Sequence, residues 1–233
     1  MSVVATMNNE LNYVSADLFK AVKKRVWDRI GVKEYTIAAI NELVNGRDES
    51  VKLHIGSTSH ILKSLIKGMR KRKIYTEELN VPDIDLLVES SRFHDLGKIS
   101  IHDKIMLKPG KLTPKEFELM KKHVEYGVML INKLQKKIPG SKFWSYAKIM
   151  IETHHEKWNG TGYPNGLAGE DIPLFGRLMA ITDVYDALIS DRPYKNAMSA
   201  DEALHIIKKS SETHFDPVIA EVFPEIILND GIN

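Results

Sequence analysis

The residue types that bind metal ions are concentrated in three short stretches of this sequence. His94 and Asp95 are adjacent in FHDLGK, and His154 and His155 are adjacent in HHEKWNGTGYPNGL. Asp183 lies inside the largely apolar stretch ITDVYDALIS, where a carboxylate needs a compensating partner such as a metal ion. Because the 233-residue chain has no cysteine, histidine and carboxylate groups are the ligands available to a metal.

Each stretch also has an interpretation without chemistry. A His-Asp dipeptide arises often by chance, and a pair of histidines can simply lie at the surface. The second pair gains weight because Trp158 and Tyr163 follow it, with glycines that let the backbone approach a ligand and rings that can stack on a base. Arg192 and Lys195 flank the turn at Pro193 and suit a phosphate, although an ordinary basic loop would have the same composition.

The other histidines differ in how well their surroundings suit a metal ion. His123 lies in MKKHVEYG and His54 lies early in an amphipathic segment, so helix packing could bring either of them to a site. The remaining histidines have no pattern of acidic partners, and we expect them to be structural or exposed: His60, His102, His205 and His214. Of these, His60 is the alternative to His54.

Apolar residues recur at helical rather than alternating spacing, which predicts a mainly helical fold. One such apolar face consists of Ile61, Leu62, Leu65, Ile66 and Met69. Thr113 and Glu116 match a capping box with Pro114 at the first turn, so we expect a helix from Thr113 to about Leu134. Other predicted helices cover residues 84–94, 143–155, 174–190, 200–209 and 217–228.

The composition is that of a folded protein with one main domain. Hydrophobic residues make up 43% and charged residues 27%, no apolar run is long enough to span a membrane, and the N-terminus has no signal-peptide pattern. We therefore expect a cytoplasmic protein without a membrane partner. The net charge of +2 disfavours nucleic-acid binding, although the run 67–73 carries five basic residues.

The order of these motifs resembles that of the HD-GYP family, which are bacterial cyclic di-GMP phosphodiesterases within the HD metal-hydrolase superfamily. The resemblance extends through HDLGKISIHDKIMLKPGKLTPKEFELMKKH, through residues 154–203 and through FDPVI, and covers roughly residues 46–228. It implies an all-α fold, an HD-domain helical bundle around a buried di-metal centre. Residues 46–228 would form the catalytic domain, residues 1–45 a helical lead or linker, and residues 229–233 a tail.

The resemblance also implies roles for individual residues. The metal ligands that it implies are His54, His94, Asp95, His123, His154, His155 and Asp183, with Asp95 bridging two ions. Lys98 matches the family's catalytic lysine and acts together with Asp95. Tyr163 is the tyrosine of the Gly-Tyr-Pro signature, and Arg192 and Lys195 match residues that contact the substrate phosphate.

One departure from the family pattern bears on the number of metal ions. Three-metal members have a glutamate four residues before the first histidine, where this chain has Ser50, with Glu49 one residue away. We therefore expect two divalent ions, the alternative being that Glu49 reaches the site through a shifted helix. Imidazole-rich ligation without thiolates suits iron or manganese, and nickel, cobalt or zinc can occupy the same kind of site.

The implied function is hydrolysis of cyclic di-GMP to linear pGpG, to GMP or to both, by a hydroxide that bridges the two metals. Two other functions stay open at this point. One is a catalytically weak domain that senses a cyclic dinucleotide or binds a protein partner. The other is a phosphodiesterase for another nucleotide, such as cyclic GMP-AMP. Because members of the family commonly follow a receiver or sensory domain, an upstream regulatory domain or a homodimer is a further expectation.

Overall fold

The computed structural model describes residues 49–191 and 196–229, with side chains from residue 56 onward. Within these ranges the regular elements are helices, and β-pairing is limited to isolated bridges at Asn159–Ala168 and Ser211–Phe215. The predicted all-α class is therefore confirmed for the part of the chain that is described. The predicted helical lead of residues 1–45 and residues 230–233 of the predicted tail lie outside it.

The connections between helices range from the single residue Lys122 to the long segment 154–173. Two 3-10 turns span Leu96–Ser100 and Gly169–Asp171. Helix starts follow from capping, as at Asp83, whose carboxylate accepts a hydrogen bond from the backbone N–H of Leu86 at 2.8 Å. In chain order the α-helices are α1 (Glu49–Lys71), α2 (Ile84–Ser91), α3 (Asp103–Met106), α4 (Pro114–Lys121), α5 (His123–Lys137), α6 (Lys142–Thr153), α7 (Leu174–Ile189), α8 (Ala200–Lys209) and α9 (Pro217–Asn229).

The capping box predicted at Thr113 is confirmed, but the continuous helix predicted from there to about Leu134 is wrong. The chain tightens at Lys122, whose backbone N–H donates to the carbonyl of Leu119 at 3.2 Å in a 3-10 pattern. The Nδ1 atom of His123 then bonds to the carbonyl of Met120 at 2.8 Å. The result is a break between α4 and α5 that places His123 at the start of the second helix.

The core lies where α1, α7 and α9 pack together. The predicted apolar face of α1 is buried from Ile61 to Met69, and it meets Leu178 of α7 and Phe223 of α9 in the same cluster. Burying each such side chain contributes about 1.5–3 kcal/mol before conformational entropy is counted, so this cluster holds the helices in register. No helix in residues 49–191 or 196–229 combines the length and the apolar character needed to cross a membrane.

Two glycines allow close approach between the segments that carry the candidate ligands. A Cβ atom at Gly97 would lie 1.8 Å from the carbonyl oxygen of His123, so the 3-10 turn after Asp95 rests directly on the first turn of α5. A Cβ atom at Gly176 would lie 2.0 Å from the Oγ1 atom of Thr153, so α7 packs closely against the end of α6. These contacts set the spacing between the segments that bear histidines.

A buried ion pair joins α7 to the start of α9. The Nη1 atom of Arg177 lies 2.7 Å from the Oδ2 atom of Asp216, and the two side chains are 6% and 0% exposed. Asp216 also accepts hydrogen bonds from the hydroxyl of Tyr75 and from the backbone N–H of Val218, both at 2.8 Å. The same carboxylate therefore caps α9 and compensates a guanidinium inside the protein.

Candidate metal centre

Four segments of the fold bring ligand-type side chains to one place. These segments are the turn after α2, the first turn of α5, the end of α6 and the middle of α7. Their side chains are His94, Asp95, His123, His154, His155 and Asp183. Four of these residues each offer one ligand atom, and the four atoms all lie within 4.8 Å of one another. The four residues are Asp95, His123, His154 and His155. A metal ion could be held by several of these atoms at once.

Asp95 lies at the centre of the cluster, and its two oxygens face different histidines. The Oδ1 atom lies 3.3 Å from Nε2 of His123 and 3.7 Å from Nε2 of His154. The Oδ2 atom lies 3.3 Å from Nε2 of His94, which is itself 3.8 Å from Oδ1 of Asp183. The carboxylate thus has one set of ligand-type atoms on its Oδ1 side and another on its Oδ2 side.

Three histidines of the cluster each use Nδ1 to bind a backbone carbonyl about one helical turn earlier. These bonds run from His94 to Ser91 at 2.9 Å, from His123 to Met120 at 2.8 Å and from His154 to Met150 at 2.8 Å. Because a carbonyl can only accept, Nδ1 donates in each of these bonds, and the Nε2 atom of each ring is directed towards Asp95.

This arrangement fits a metal ion. The Nε2 atoms of His123 and His154 and the Oδ1 atom of Asp95 are buried and have no hydrogen-bond partner among the described residues. Leaving three buried polar atoms unpaired is costly, whereas a divalent ion would satisfy all of them. The bond from Nδ1 to a carbonyl is also the outer contact that commonly orients a metal-bound histidine.

Burial and charge place these groups in the protonation states that bind metal. Burial lowers the pKa of His123 to about 4 and holds the pKa of His155 well below its usual range, so both rings are neutral near pH 7. Burial alone would raise the pKa of Asp95, but the charge of Lys98 and the neighbouring imidazole of His94 outweigh it and hold that pKa well below its usual range. Divalent ions bind neutral imidazole and ionised carboxylate.

The loop that follows the histidine pair is anchored by Glu156. This side chain is 1% exposed, and its two oxygens accept hydrogen bonds from the backbone N–H groups of Asn165 at 2.7 Å and Leu167 at 3.1 Å. A Cβ atom at Gly162 would lie 2.4 Å from the backbone nitrogen of Lys157, so the loop closes against its own first turn. The anchored loop therefore holds one fixed position beside the cluster.

Tyr163 is the loop residue that contacts the cluster directly. Its ring stacks on the ring of His155, with centroids 4.6 Å apart and an interplanar angle of 26°. Near it also lie the ring of Phe117, at 6.5 Å between centroids, and the ammonium of Lys121, at 5.3 Å from the Tyr163 centroid. Burial raises the pKa of the Tyr163 phenol, which therefore stays protonated and can donate a hydrogen bond.

The structure brings most of the predicted site residues together. Those that meet in or beside the cluster are His94, Asp95, Lys98, His123, His154, His155, Tyr163 and Asp183. His54 belongs to α1, but its side chain lies outside the described part of the structure. Arg192 and Lys195 lie outside the described residues as well.

The histidines that we expected to be structural or exposed lie elsewhere. His60 and His205 are exposed, whereas His102 accepts a hydrogen bond from the backbone N–H of Lys104 at the start of α3. His214 stacks on Phe215, with centroids 4.3 Å apart. Solvent exposure, a helix cap or a ring contact is therefore a sufficient role for each of these histidines, without a metal ion.

Sequence reasoning missed three residues that shape the site. Glu156 anchors the loop, and its place directly after the histidine pair was the signal available. Phe117 and Lys121 flank Tyr163 although more than 40 residues separate them from it along the chain, a distance over which single-sequence patterns carry little information. Trp158 was expected to offer a ring for stacking on a base. In the structure the guanidinium carbon of Arg177 lies 5.9 Å from the centroid of this ring.

Comparison with known proteins gives a consistent family assignment. A family model described as HD domain matches residues 39–219. A cyclic di-GMP phosphodiesterase from Vibrio cholerae is 44% identical over 191 residues, which is 82% of this chain and 39% of that protein. A 3'3'-cGAMP-specific phosphodiesterase from the same organism is 41% identical over 143 residues, which is 61% of this chain and 26% of that protein. The chain thus spans less than half the length of these relatives.

Among solved structures, an HDG"Y"P protein from Bdellovibrio bacteriovorus has the same overall fold. The TM-score is 0.57 at 18% sequence identity, and the match covers 90% of this chain and 67% of that one. At this identity the likeness concerns the fold alone. It confirms the helical bundle that the motifs predicted.

Proposed function

This chain belongs to the HD-domain family, and we propose that it is a metal-dependent phosphodiesterase that hydrolyses cyclic di-GMP. The observation that carries this proposal is the position of Asp95, a buried carboxylate whose two oxygens face different imidazoles. The substrate is supported by the Vibrio cholerae relative that is named a cyclic di-GMP phosphodiesterase.

In this proposal Asp95 would help to hold two divalent ions, one through each of its oxygens. The proposed ligands on its Oδ1 side are His123 and His154, and His155 is grouped with them by its ligand atom. The proposed ligands on its Oδ2 side are His94 and Asp183. His54 is a further proposed ligand, taken from the family resemblance. Nitrogen and carboxylate ligation without thiolate suits iron or manganese first, with nickel, cobalt or zinc able to bind at the same site.

The ions, when bound, supply an activated water and neutralise charge on the phosphodiester. The protein residues hold and orient the substrate around them. Lys98 places a positive charge beside Asp95, where it stabilises the scissile phosphate or protonates the leaving oxygen. Tyr163 lies against His155 and borders the substrate, while Arg192 and Lys195 hold a phosphate that does not react.

A second candidate substrate is 3'3'-cGAMP, because a relative that is 41% identical over 143 residues is named as specific for it. The two cyclic dinucleotides share the ring of two phosphates and differ in one base. The metal ligands would serve either substrate, so discrimination would come from side chains that contact the bases.

The test is hydrolysis of both dinucleotides by protein purified without air or chelator. Products are separated by chromatography, and the metal content is determined on the same sample. We expect cyclic di-GMP to be converted to pGpG, to GMP or to both, with about two iron or manganese ions per chain. Faster turnover of 3'3'-cGAMP would transfer the assignment to that substrate. If the metal site is filled but neither dinucleotide is hydrolysed, the chain would instead be a domain that binds a ligand without hydrolysing it.

Cyclic di-GMP is a bacterial second messenger, so we place the proposed activity in the cytoplasm. Control by an upstream regulatory domain or by formation of a homodimer is part of the same proposal.

A further inference from the structure

Helix α4 presents an aromatic ring and a cation to the solvent directly beside Tyr163. Phe117 and Lys121 are four residues apart, so they lie on one face of the helix. Phe117 is 46% exposed, and its ring meets that of Tyr163 edge to face at 6.5 Å. The Lys121 ammonium lies 5.2 Å from the Phe117 centroid and 5.3 Å from the Tyr163 centroid. We name this trio the α4 shelf.

The α4 shelf is continuous with the candidate metal centre. Tyr163 links the two, because its ring stacks on His155 at 4.6 Å and also lies beside Phe117 and Lys121. His155 in turn offers one of the ligand atoms that lie within 4.8 Å of one another. A molecule that is held by these ligand-type residues and is larger than a single phosphate therefore has the α4 shelf within reach.

The shelf is held in place before any ligand binds. Glu116 of α4 accepts hydrogen bonds from the backbone N–H of Thr113 at 2.7 Å and from the ammonium of Lys108 at 2.6 Å, which fixes the start of the helix. Lys121 itself pairs with Glu118 at 2.7 Å, a partly exposed contact that a phosphate can replace. A half-exposed phenylalanine on a fixed helix keeps a flat apolar surface available to a partner.

From this geometry we infer that the α4 shelf binds one purine base and an adjacent phosphate oxygen of the cyclic dinucleotide, with Phe117 and Tyr163 against the base and Lys121 against the phosphate. The inference rests on the proposed function and adds two residues to its substrate contacts. Aromatic rings stack on bases without hydrogen-bond readout, and a cation beside them complements the charge of the phosphate. Phe117 and Lys121 would then contribute affinity and not chemistry.

The test is binding of a fluorescently labelled cyclic di-GMP, followed by anisotropy, together with kcat and KM for hydrolysis. We expect Phe117→Ala to raise both Kd and KM about tenfold, as loss of one stacked base does, with kcat and metal content unchanged. Phe117→Trp should restore binding, because the requirement is for an aromatic face. Lys121→Gln should raise Kd by about five- to tenfold and reduce the salt dependence of binding.

Matched controls are available on the same helix. Leu119 is 47% exposed, much like Phe117, so Leu119→Ala removes a similar apolar surface outside the shelf. Lys115→Gln removes an exposed lysine from the first turn of α4. Both controls should bind and hydrolyse cyclic di-GMP as the wild type does.

The outcomes separate this inference from the proposed function. Unchanged Kd and KM in Phe117→Ala, with active wild-type protein, would overturn the shelf and leave the phosphodiesterase intact. A second outcome is that the labelled dinucleotide binds the wild type but not Phe117→Ala, and that neither protein hydrolyses it. That outcome would support the shelf and contradict the enzymatic function. A wild type that does not bind the labelled dinucleotide would overturn the shelf.

Discussion

The ammonium group of Lys98 contacts the Oδ2 atom of Asp95, one 3-10 turn earlier in the chain. In a 3-10 turn the side chains at positions i and i+3 lie one above the other, so this short segment supplies both the central carboxylate and the cation beside it. The same turn contains Gly97, which lets it rest on the start of α5. The four residues from Asp95 to Lys98 therefore supply both charged groups and the close contact that positions them against α5.

Replacing Lys98 should impair turnover more than metal binding. Lys98→Met removes the positive charge beside Asp95, which in the proposed function acts on the scissile phosphate, while keeping a side chain of similar length. We expect kcat for cyclic di-GMP to fall about 10²- to 10³-fold, the size of effect seen when one group that stabilises developing charge is lost. Metal content should stay close to that of the wild type. Lys104→Met, at an exposed lysine nearby, is the control, and equal losses in the two variants would contradict the role of Lys98.

Replacing Asp95 should remove both metal and activity. Asp95→Asn keeps the shape of the side chain but loses the negative charge and one of the two oxygens that face the histidines. We expect most of the bound metal and all measurable turnover to be lost, as read by elemental analysis and product chromatography. Asp85→Asn, at a surface carboxylate paired with Lys63, should retain both. A fully loaded and active Asp95→Asn protein is the result that this assignment does not allow.

Gly97 is predicted to be intolerant of any side chain. In Gly97→Ala the new Cβ atom would meet the His123 carbonyl at 1.8 Å, so the turn must move away from α5. We expect the free energy of unfolding to fall by about 1–3 kcal/mol or more, measured by denaturant titration. At Gly56, an exposed position of α1, an added Cβ atom would meet no atom of the described residues within 4 Å, so Gly56→Ala should be neutral or stabilising by about 0.5–1 kcal/mol. Equal effects at the two glycines would argue against the close contact.

Glu156 should act on substrate binding through the loop that carries Tyr163. Glu156→Gln retains one acceptor oxygen but places an amide N–H₂ against a backbone N–H, so at least one of the two loop bonds is lost. We expect KM for cyclic di-GMP to rise about tenfold or more with a smaller change in kcat, because in the proposed function this loop carries Tyr163 to the substrate. Glu152→Gln, at a partly exposed glutamate one turn earlier, is the control. A change in kcat alone would indicate a different role.

The stability of the protein should depend on pH through His214. Burial lowers the pKa of His214 to about 4, with a further contribution from Lys157, whereas the unfolded chain has a histidine pKa of about 6.5. Between these values the unfolded state binds more protons, so the contribution of His214 is present above pH 6.5 and is lost as the pH falls towards 4.

The measurement is Tm against pH for the wild type and for His214→Gln. We expect the Tm of the wild type to fall more steeply than that of the variant between about pH 6.5 and 4. His205→Gln, at an exposed histidine of α8, should follow the wild-type curve. Parallel curves for wild type and His214→Gln would show that the burial of this ring is not linked to stability.

Local sequence signals predicted the parts of the fold that local interactions decide. The capping box at Thr113 and the buried face of α1 depend on residues within a few positions of one another, and both are confirmed. The convergence of His94, His123 and His154 was expected from the family resemblance, because spacing along the chain alone does not show which helices pack together.

What the sequence did not predict depends on contacts between distant segments. The break at Lys122 coincides with a bond from the His123 ring to a carbonyl and with the approach of Gly97, neither of which a helical pattern records. The anchoring role of Glu156 requires the loop to return after nine to eleven residues. Such arrangements are fixed by tertiary packing, which overrides a continuous helical propensity.

The buried pair of Arg177 and Asp216 has a practical consequence for anyone who shortens this chain. The family match ends at residue 219, inside the first turn of α9, yet Phe223 and Ile227 further along that helix are 0% exposed. A protein cut at residue 219 would keep both charges but lose these apolar side chains, which belong to the core cluster shared by α1, α7 and α9. We expect such a truncation to be poorly soluble, so the smallest piece that folds by itself should extend to the end of α9.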